Sequence, residues 1–185
     1  MTNKKAVLNF DEQAPTFTSK ELVRYYVDGG IKLKNNKGAY AFIKKQYAQK
    51  TKVSARASEK GLSSTDSEIL AVKLAMKDAL DKNLDPRQVI ILTDQKSLAF
   101  PTNLKRSNSK MAVLRKEIDE YGFQVKYMKS QHSLTVEELE NAPARVKNAL
   151  AVHTVVQAKL NKPSNRYLYH LKKKRAKKKQ KQKQK

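Results

Sequence analysis

Short runs of β-forming residues, separated by turn signals, dominate the first third of the chain. Residues 22–27 and 39–45 are rich in β-branched and aromatic side chains. The Asp-Gly-Gly sequence at 28–30 predicts a turn that ends the first strand, and Asn-Asn-Lys-Gly at 35–38 is a second turn signal. Residues 52–57 alternate in polarity and predict a third strand. Because strands joined by short turns pair antiparallel, we expect a three-stranded antiparallel meander.

The middle of the chain changes to a helical period and to continuous apolar runs. Apolar residues recur at helical spacing from 69 to 80, after N-cap candidates at 63–65. Residues 89–92 form a continuous apolar run, which is typical of a strand buried on both faces of a sheet. A second helix is predicted over 111–121, and a fifth strand over 123–128. Each of these two strands follows a helix, so both are expected to join the sheet as parallel strands through crossovers.

Further helices complete the pattern. A short helix is expected at 96–100, and a Thr-x-x-Glu capping box at 135–138 predicts the start of another. Pro143 starts or kinks a longer helix, whose apolar face runs from 146 to 160. The order β-β-β-α-β-α-β-α predicts an α/β fold, in which helices flank a mixed five-stranded sheet of one antiparallel meander and two parallel strands.

The same pattern divides the chain into three parts. Residues 1–20 are polar and irregular and are expected to form an N-terminal arm, and residues 21–160 to form a single domain. Residues 161–185 are a basic tail, in which ten of the last fifteen positions are Lys or Arg. A segment with so much like charge and so few apolar groups is expected to be disordered on its own.

The charge of the chain indicates a class of partner, which the fold pattern alone does not. The chain of 185 residues has 40 basic and 17 acidic residues, and its net charge of +23 falls only to +13 without the ten basic residues at its end. Neutralised phosphates release counterions, so such a charge favours nucleic acid as a partner. The chain has no cysteine, which excludes disulfides and cysteine-ligated zinc. No apolar run is long enough to span a bilayer. A cytoplasmic, intracellular protein without a membrane partner is therefore expected.

Three acidic residues occupy positions where functional groups gather in α/β proteins. Asp28 follows the first predicted strand, Asp94 follows the fourth, and Glu68 lies near the start of the first helix. If these strands are neighbours, the three carboxylates converge, and their repulsion is tolerable mainly around a divalent metal. Two such ions could promote phosphodiester cleavage. A turn aspartate, a first-turn helix carboxylate and a helix-capping aspartate remain the alternative interpretation.

Short motifs around these residues resemble type I ribonuclease H. Tyr-Tyr-Val-Asp-Gly-Gly at 25–30 and Lys-Gly-Ala-Tyr-Ala-Phe at 37–42 resemble the first hairpin of that family, in which the first strand ends in Asp-Gly-Ser. Ser-Ser-Thr-Asp-Ser-Glu-Ile-Leu-Ala at 63–71 resembles its Thr-Asn-Asn-x-x-Glu-Leu-x-Ala helix start. Ile-Leu-Thr-Asp-Gln at 91–95 resembles its strand ending in Thr-Asp-Ser. The resemblance covers residues 22–132.

The resemblance implies an activity and a cofactor. The family cleaves the RNA strand of RNA–DNA hybrids with Mg²⁺ or Mn²⁺, and two ions are expected. By resemblance, Asp28, Glu68 and Asp94 are the catalytic metal ligands.

The fourth carboxylate of the family has no obvious counterpart in this sequence. Glu137 is the nearest candidate, and it follows His132, which resembles the family's mobile catalytic histidine. The interval between His132 and Glu137 is shorter than in the family. His153 and Asn148 are alternatives in the longer helix, although His153 lies on the apolar face and is expected to point into the core.

Predicted nucleic-acid contacts surround these positions. Ser64 and Thr65 stand where the family has asparagines that contact the hybrid, and Gly30 replaces the serine after Asp-Gly. The polar, basic connector at residues 102–109 and the tail add contacts that do not depend on sequence. The predicted nucleic-acid-binding residues are Gly29, Gly30, Ser64, Thr65, Lys105, Arg106, Lys172, Lys173, Lys174, Arg175, Lys177, Lys178 and Lys179.

Three functions fit the sequence, and they differ in chemistry. The first is a divalent-metal endoribonuclease that hydrolyses the RNA strand of RNA–DNA hybrids. The second is a degenerate ribonuclease H-like module that binds structured RNA, or a ribonucleoprotein such as the ribosome, without cleaving it. The third keeps the fold but cleaves or transfers DNA strands. Metal occupancy separates the first function from the second, and substrate preference separates the first from the third.

Overall fold

The computed structural model describes residues 16–35, 37–58, 61–101, 109–162, 169 and 172–175. The strands are β1 (Val23–Lys32), β2 (Lys37–Lys45), β3 (Lys52–Ser58), β4 (Val89–Thr93) and β5 (Gln124–Tyr127). The helices are α1 (Ser64–Asp81), α2 (Lys96–Ala99), α3 (Lys110–Tyr121), α4 (Val136–Asn141) and α5 (Ala144–Asn161). The boundaries predicted at residues 20 and 160 stay predictions, because most of the arm and tail lies outside the described residues.

The five strands form one mixed sheet in the order β3-β2-β1-β4-β5. β2 pairs antiparallel with both β1 and β3, and β4 pairs parallel with both β1 and β5. The predicted meander with two added parallel strands is confirmed. This order makes β1 and β4 central neighbours, so the residues that follow β4 lie beside the second half of β1.

β1 is longer than the sequence pattern predicts. The Asp-Gly-Gly sequence does not end the strand, because Asp28, Gly29 and Gly30 pair with residues 39–41 of β2. The prediction of a turn at this sequence was therefore wrong. Glycines disfavour strands mainly because they have no side chain to pack, but here two helices approach the backbone so closely that a side chain would not fit. A Cβ on Gly30 would lie 3.1 Å from the Val156 Cγ1 of α5.

Helices cover both faces of the sheet. α1 and α3 pack on one face, which buries Tyr25 and Val27, whereas α5 packs on the other face over Tyr26. The strand period of two explains why neighbouring residues of β1 enter different cores. All five residues of β4 are buried. Each fully buried aliphatic or aromatic side chain contributes about 1.5–3 kcal/mol, so the two cores hold the central strands in place.

The position of α1 depends on one close approach. A Cβ on Gly29 would lie only 2.4 Å from the carbonyl carbon of Ser67. The missing side chain at Gly29 therefore lets the first turns of α1 cross β1 in direct backbone contact. The Ser67 hydroxyl donates to the carbonyl oxygen of Gly30 at 3.2 Å and fixes the crossing further. This contact places Glu68 beside Asp28.

Local sequence signals define the helix ends. Ser63 and Asp66 form a capping box at the start of α1, and Thr135 and Glu138 form the predicted one at α4. α3 ends at Gly122, whose φ of 81° lies in the left-handed region that favours glycine. In the described part of the chain, no helix is long and apolar enough to cross a membrane.

Candidate metal centre

Three carboxylates meet where β1, α1 and β4 converge. Asp28, Glu68 and Asp94 each offer one oxygen, and these oxygens all lie within 4.8 Å of one another. We call this group the carboxylate cluster. Tyr26 of β1 pairs with Leu92 of β4, so Asp28 and Asp94 stand two residues further along parallel neighbours. The predicted convergence of the three side chains is confirmed.

Burial and repulsion raise the pKa values in the carboxylate cluster. Burial raises the pKa of Asp28 to about 7, and the charge of Asp94 acts in the same direction. The Gly29 N–H and the charge of His132 oppose this shift. Burial also raises the pKa of Glu68 to about 9, and both aspartates add to this shift. Without a cation, the cluster therefore resists carrying three negative charges.

Two oxygens of the cluster lack a hydrogen-bond partner. Glu68 Oε2 and Asp94 Oδ1 are buried and accept no hydrogen bond from the described residues. A buried polar atom without a partner costs roughly 1–3 kcal/mol, so such atoms call for an explanation. Hard oxygen ligands at this spacing suit Mg²⁺ or Mn²⁺, and a bound cation would favour the charged forms of all three acids. The residues present therefore fit a divalent metal.

A chain of hydrogen bonds leads from the cluster towards solvent. His153 Nδ1 lies 3.0 Å from Asp28 Oδ2, and His132 Nδ1 lies 3.4 Å from His153 Nε2. Ser130 Oγ lies 3.0 Å from His132 Nε2. One assignment satisfies all three contacts: the Ser130 hydroxyl donates to His132, His132 to His153, and His153 to Asp28. Burial lowers the pKa of His153, which favours the neutral ring that this assignment requires.

The expectation that His153 points into the core was wrong. Its side chain is 19% exposed and contacts Asp28, whereas Val156, one turn later on α5, is fully buried. α5 crosses the face of β1 that carries Tyr26 and Asp28, so its apolar stripe leads directly to the edge of the cluster. The stripe alone gave no sign of the difference, because both residues lie on the same face of the helix.

Comparison with known proteins agrees with this architecture. No protein-family model and no curated protein matches the sequence. Among solved structures, the chain is similar to ribonuclease H1 from the halophilic archaeon Halobacterium salinarum NRC-1, with a TM-score of 0.50. The two sequences are 15% identical, and the match covers 74% of this chain and 97% of the archaeal chain. This chain has a ribonuclease H-like fold. At this identity the likeness concerns the fold alone.

Within this ribonuclease H-like fold, Glu137 stands apart from the cluster. It is exposed on α4, and the group of converging acids among the described residues contains only Asp28, Glu68 and Asp94. α4 begins at a capping box formed by Thr135 and Glu138, which leaves Glu137 on the exposed first turn. In contrast, His132, the predicted catalytic histidine, contacts His153, which in turn contacts Asp28 of the cluster.

The other predicted contact residues lie in different surroundings. Gly29 and Gly30 are within β1, where they admit the two helices, and Ser64 and Thr65 are exposed in the first turn of α1. The tail residues Lys172, Lys173, Lys174 and Arg175 are helical and exposed. The remaining predicted contacts, Lys105, Arg106, Lys177, Lys178 and Lys179, lie outside the described residues. The role of each of these residues in binding stays a prediction.

Proposed function

We propose that this chain is a divalent-metal-dependent endonuclease that hydrolyses the RNA strand of RNA–DNA hybrids. The observation that carries this proposal is the carboxylate cluster, in which two buried oxygens have no donor among the described residues. A purely structural group of acids is expected to be hydrogen-bonded or ion-paired. The ribonuclease H-like fold and the sequence motifs support the choice of hybrid as the substrate.

In this proposal, the residues of the chain hold and orient the reacting groups. Asp28, Glu68 and Asp94 hold Mg²⁺ or Mn²⁺, with two ions expected. When bound, the metal supplies an activated water and stabilises the leaving oxygen of the phosphodiester. The close contact of Gly29 with α1 keeps Glu68 in place, and the buried sheet excludes water from one side of the cluster.

His153 acts in this proposal as a positioning residue. Its N–H holds Asp28 Oδ2 at 3.0 Å and leaves the second oxygen of the carboxylate for the metal. A hydrogen bond from a residue that does not itself bind the metal fixes the orientation of a metal ligand. By resemblance, the last helix of the family carries a fourth carboxylate, whereas α5 of this chain presents His153 to Asp28.

The proposal is tested by cleavage of a labelled RNA–DNA hybrid with Mg²⁺ or Mn²⁺. We expect the wild type to cleave the RNA strand and Asp94→Asn to be inactive. Asp81→Asn is a matched control, because Asp81 pairs with Lys77 on the exposed side of α1. Cleavage by the wild type and the control alone supports the proposal. Equal cleavage by all three proteins contradicts it.

A non-cleaving binding module is the second candidate. The observation that favours it is that the group of converging acids in the described residues contains three carboxylates and no fourth. The net charge of +23 suits structured RNA or a ribonucleoprotein such as the ribosome equally well. Tight, salt-sensitive binding of RNA without cleavage by the wild type, in either metal, would support this function instead.

A further inference from the structure

A second site lies on the α5 face of the sheet, away from the carboxylate cluster. A cavity of about 490 Å³ opens between the start of β1, the end of β2 and the start of α5. Its lining includes three basic, two aromatic and one amide side chain that matter for its chemistry. They are Arg24, Lys45, Lys147, Tyr26, Tyr47 and Asn148.

The cations of the cavity have no acidic partner. The Arg24 side chain has neither a hydrogen bond nor an ion pair with the described residues. Lys45 donates to the Thr51 hydroxyl at 2.7 Å, and Lys147 donates to the Glu140 carbonyl oxygen at 3.3 Å. None of the described lining residues is acidic. Three positive charges around one cavity therefore give it a positive potential that favours an anion.

Some lysines of α1 and α3 have acidic partners. On α1, Lys77 pairs with Asp81 at 2.9 Å, and on α3, Lys116 lies 3.7 Å from Glu120. These helices lie on the opposite face of the sheet from the cavity. Cations without an acidic partner are expected in a chain of 40 basic and 17 acidic residues, so the distinguishing feature of the cavity is that three of them line one space.

The start of α5 adds to the positive potential. Ala144, the first residue of the helix, lines the cavity, and no side chain caps this end. The free N–H groups and the helix dipole contribute partial positive charge there. Tyr26 is almost fully buried beneath the cavity, whereas Tyr47 is 62% exposed at its rim. An exposed ring beside a phosphate site can stack on a nucleic-acid base.

The cavity and the carboxylate cluster share one face of the sheet. Arg24, Tyr26 and Asp28 alternate along β1 and point to the same side. Asp28 lies four residues beyond Arg24 on the strand, which corresponds to about 13 Å. α5 covers the sheet between the two sites, so a strand that reaches both runs beside α5. At roughly 3.4 Å of rise per nucleotide, the separation corresponds to about four nucleotides.

We infer that this cavity binds a backbone phosphate of the nucleic acid held at the carboxylate cluster, about four nucleotides from the reacting bond. The inference rests on the proposed function, because it requires a nucleic-acid strand on this face. Arg24 and Lys45 neutralise the phosphate, and Asn148 donates to it. A free phosphorylated ligand shares this chemistry, and the experiment below separates the two sources.

The test measures binding of a labelled RNA–DNA hybrid in EDTA, so cleavage does not enter the result. Affinity is followed from about 50 to about 300 mM salt, where each lost phosphate contact lowers the slope of log affinity against log salt by about one. Because the cavity holds one phosphate, we expect Arg24→Gln/Lys45→Gln to lower the slope by about one. The control Lys77→Gln/Lys116→Gln removes the same charge on the opposite face and should leave the slope unchanged.

A second variant guards against a loss of folding. Asn148→Asp is isosteric and places a negative charge in the cavity, so it should weaken binding of the hybrid roughly tenfold or more while the melting temperature stays the same. A parallel titration with inorganic phosphate follows the Arg24 Nε–H resonance of the full chain. A saturable shift that a hybrid also produces supports occupation of the cavity by the strand.

The outcomes separate this inference from the proposed function. One outcome overturns the inference alone. In it, the wild type cleaves the hybrid, but the salt slope of hybrid binding is the same for the wild type and Arg24→Gln/Lys45→Gln. A phosphate-induced shift at Arg24 that a hybrid does not produce assigns the cavity to a free ligand and also overturns it. Failure of the wild type to bind any hybrid contradicts both proposals.

Discussion

α1 carries one partly buried and one buried carboxylate in contrasting environments. Near its end, Asp78 accepts a hydrogen bond from the Tyr25 hydroxyl at 2.9 Å and forms an ion pair with Lys52. Burial raises the pKa of Asp78, but the hydrogen bonds from Lys52 and Tyr25 outweigh burial and hold the pKa below its usual range. This carboxylate is stabilised as an anion by its neighbours, so it contributes to the fold.

Near the start of the same helix, Glu68 has the opposite environment. It is 4% exposed, its Oε2 has no donor among the described residues, and its pKa rises to about 9. Its nearest charged neighbours are two more acids. Desolvation raises the pKa of both Glu68 and Asp78, so it does not distinguish a structural acid from a candidate metal ligand. The presence or absence of a positive partner does.

The largest expected effect concerns catalysis. Asp94→Asn should lower hybrid cleavage at least about a thousandfold, which corresponds to about 4 kcal/mol of activation free energy, because a metal ligand is lost. Asp78→Asn should cleave at nearly the wild-type rate wherever it remains folded. Single-turnover cleavage in Mg²⁺ measures both effects. Comparable losses in the two variants would contradict the distinction between the two environments.

The second-largest expected effect concerns the stability that Asp78 provides. Asp78→Ala should lower the free energy of unfolding by about 2–3 kcal/mol, because the buried Tyr25 hydroxyl and Lys52 both lose their partner. The gain in melting temperature on adding Mg²⁺ should stay as in the wild type, because the cluster is unchanged. Urea unfolding and thermal melting, with and without Mg²⁺, measure these quantities. A lost metal response in Asp78→Ala would show that Asp78 belongs to the metal centre.

Sequence patterns predicted the fold well because each element has a local signal. The apolar run of β4, the capping boxes of α1 and α4 and the glycine after α3 act through neighbours in sequence. The course of β1 through Gly29 and Gly30 was missed for a tertiary reason. Two helices approach from opposite faces there, and no local propensity reports how close a distant helix will come.

The candidate site was predictable to a similar extent. Asp28, Glu68 and Asp94 follow from motifs at element ends, and parallel pairing of β1 with β4 brings them together. The contact of His153 with Asp28 depends on the angle at which α5 crosses the sheet, so a stripe of apolar residues could not reveal it. The cavity beside Arg24 combines three distant segments, and the sequence pattern gave no indication of it.

A smaller effect concerns the link between His153 and the cluster. His153→Ala should lower kcat and metal affinity roughly 10–100-fold, because Asp28 loses the hydrogen bond that orients it. KM for the hybrid should change little. His153→Asp, which supplies a carboxylate from the same helix, should recover part of the metal affinity. Isothermal titration with Mn²⁺ and steady-state kinetics measure these changes.

The control for this prediction is the outer histidine. His132→Ala removes an exposed ring that reaches Asp28 only through His153, so its effect should be smaller than that of His153→Ala. If His153→Ala raises KM and leaves metal affinity intact, His153 contacts the substrate and does not position Asp28.

The last expected effect concerns stability against pH in the absence of metal. The pKa of Glu68 rises from 4.5 to about 9 and that of Asp28 from 3.8 to about 7. At pH values between the unfolded and the folded pKa of each group, the folded protein holds a proton that the unfolded chain has lost. The stability that these groups confer therefore falls as pH rises. Burial, and then the charges of the two aspartates, disfavour ionised Glu68, so Glu68→Gln should become increasingly more stable than the wild type as pH rises.

Asp78 provides the matched control, because its pKa is shifted in the opposite direction. Its lowered pKa gives stability that is present above the unfolded value of 3.8 and is lost as pH falls through the lower folded value. Urea midpoints in EDTA at pH 5, 7 and 9 should therefore diverge between wild type and Glu68→Gln towards high pH, whereas Asp78→Asn should lie below the wild type by a constant amount. Mg²⁺ favours ionised carboxylates, so adding Mg²⁺ at pH 9 should raise the urea midpoint of the wild type towards that of Glu68→Gln. Parallel curves for wild type and Glu68→Gln would mean that the cluster carries no repulsion for a cation to relieve, which would remove the physical basis for assigning a metal to it.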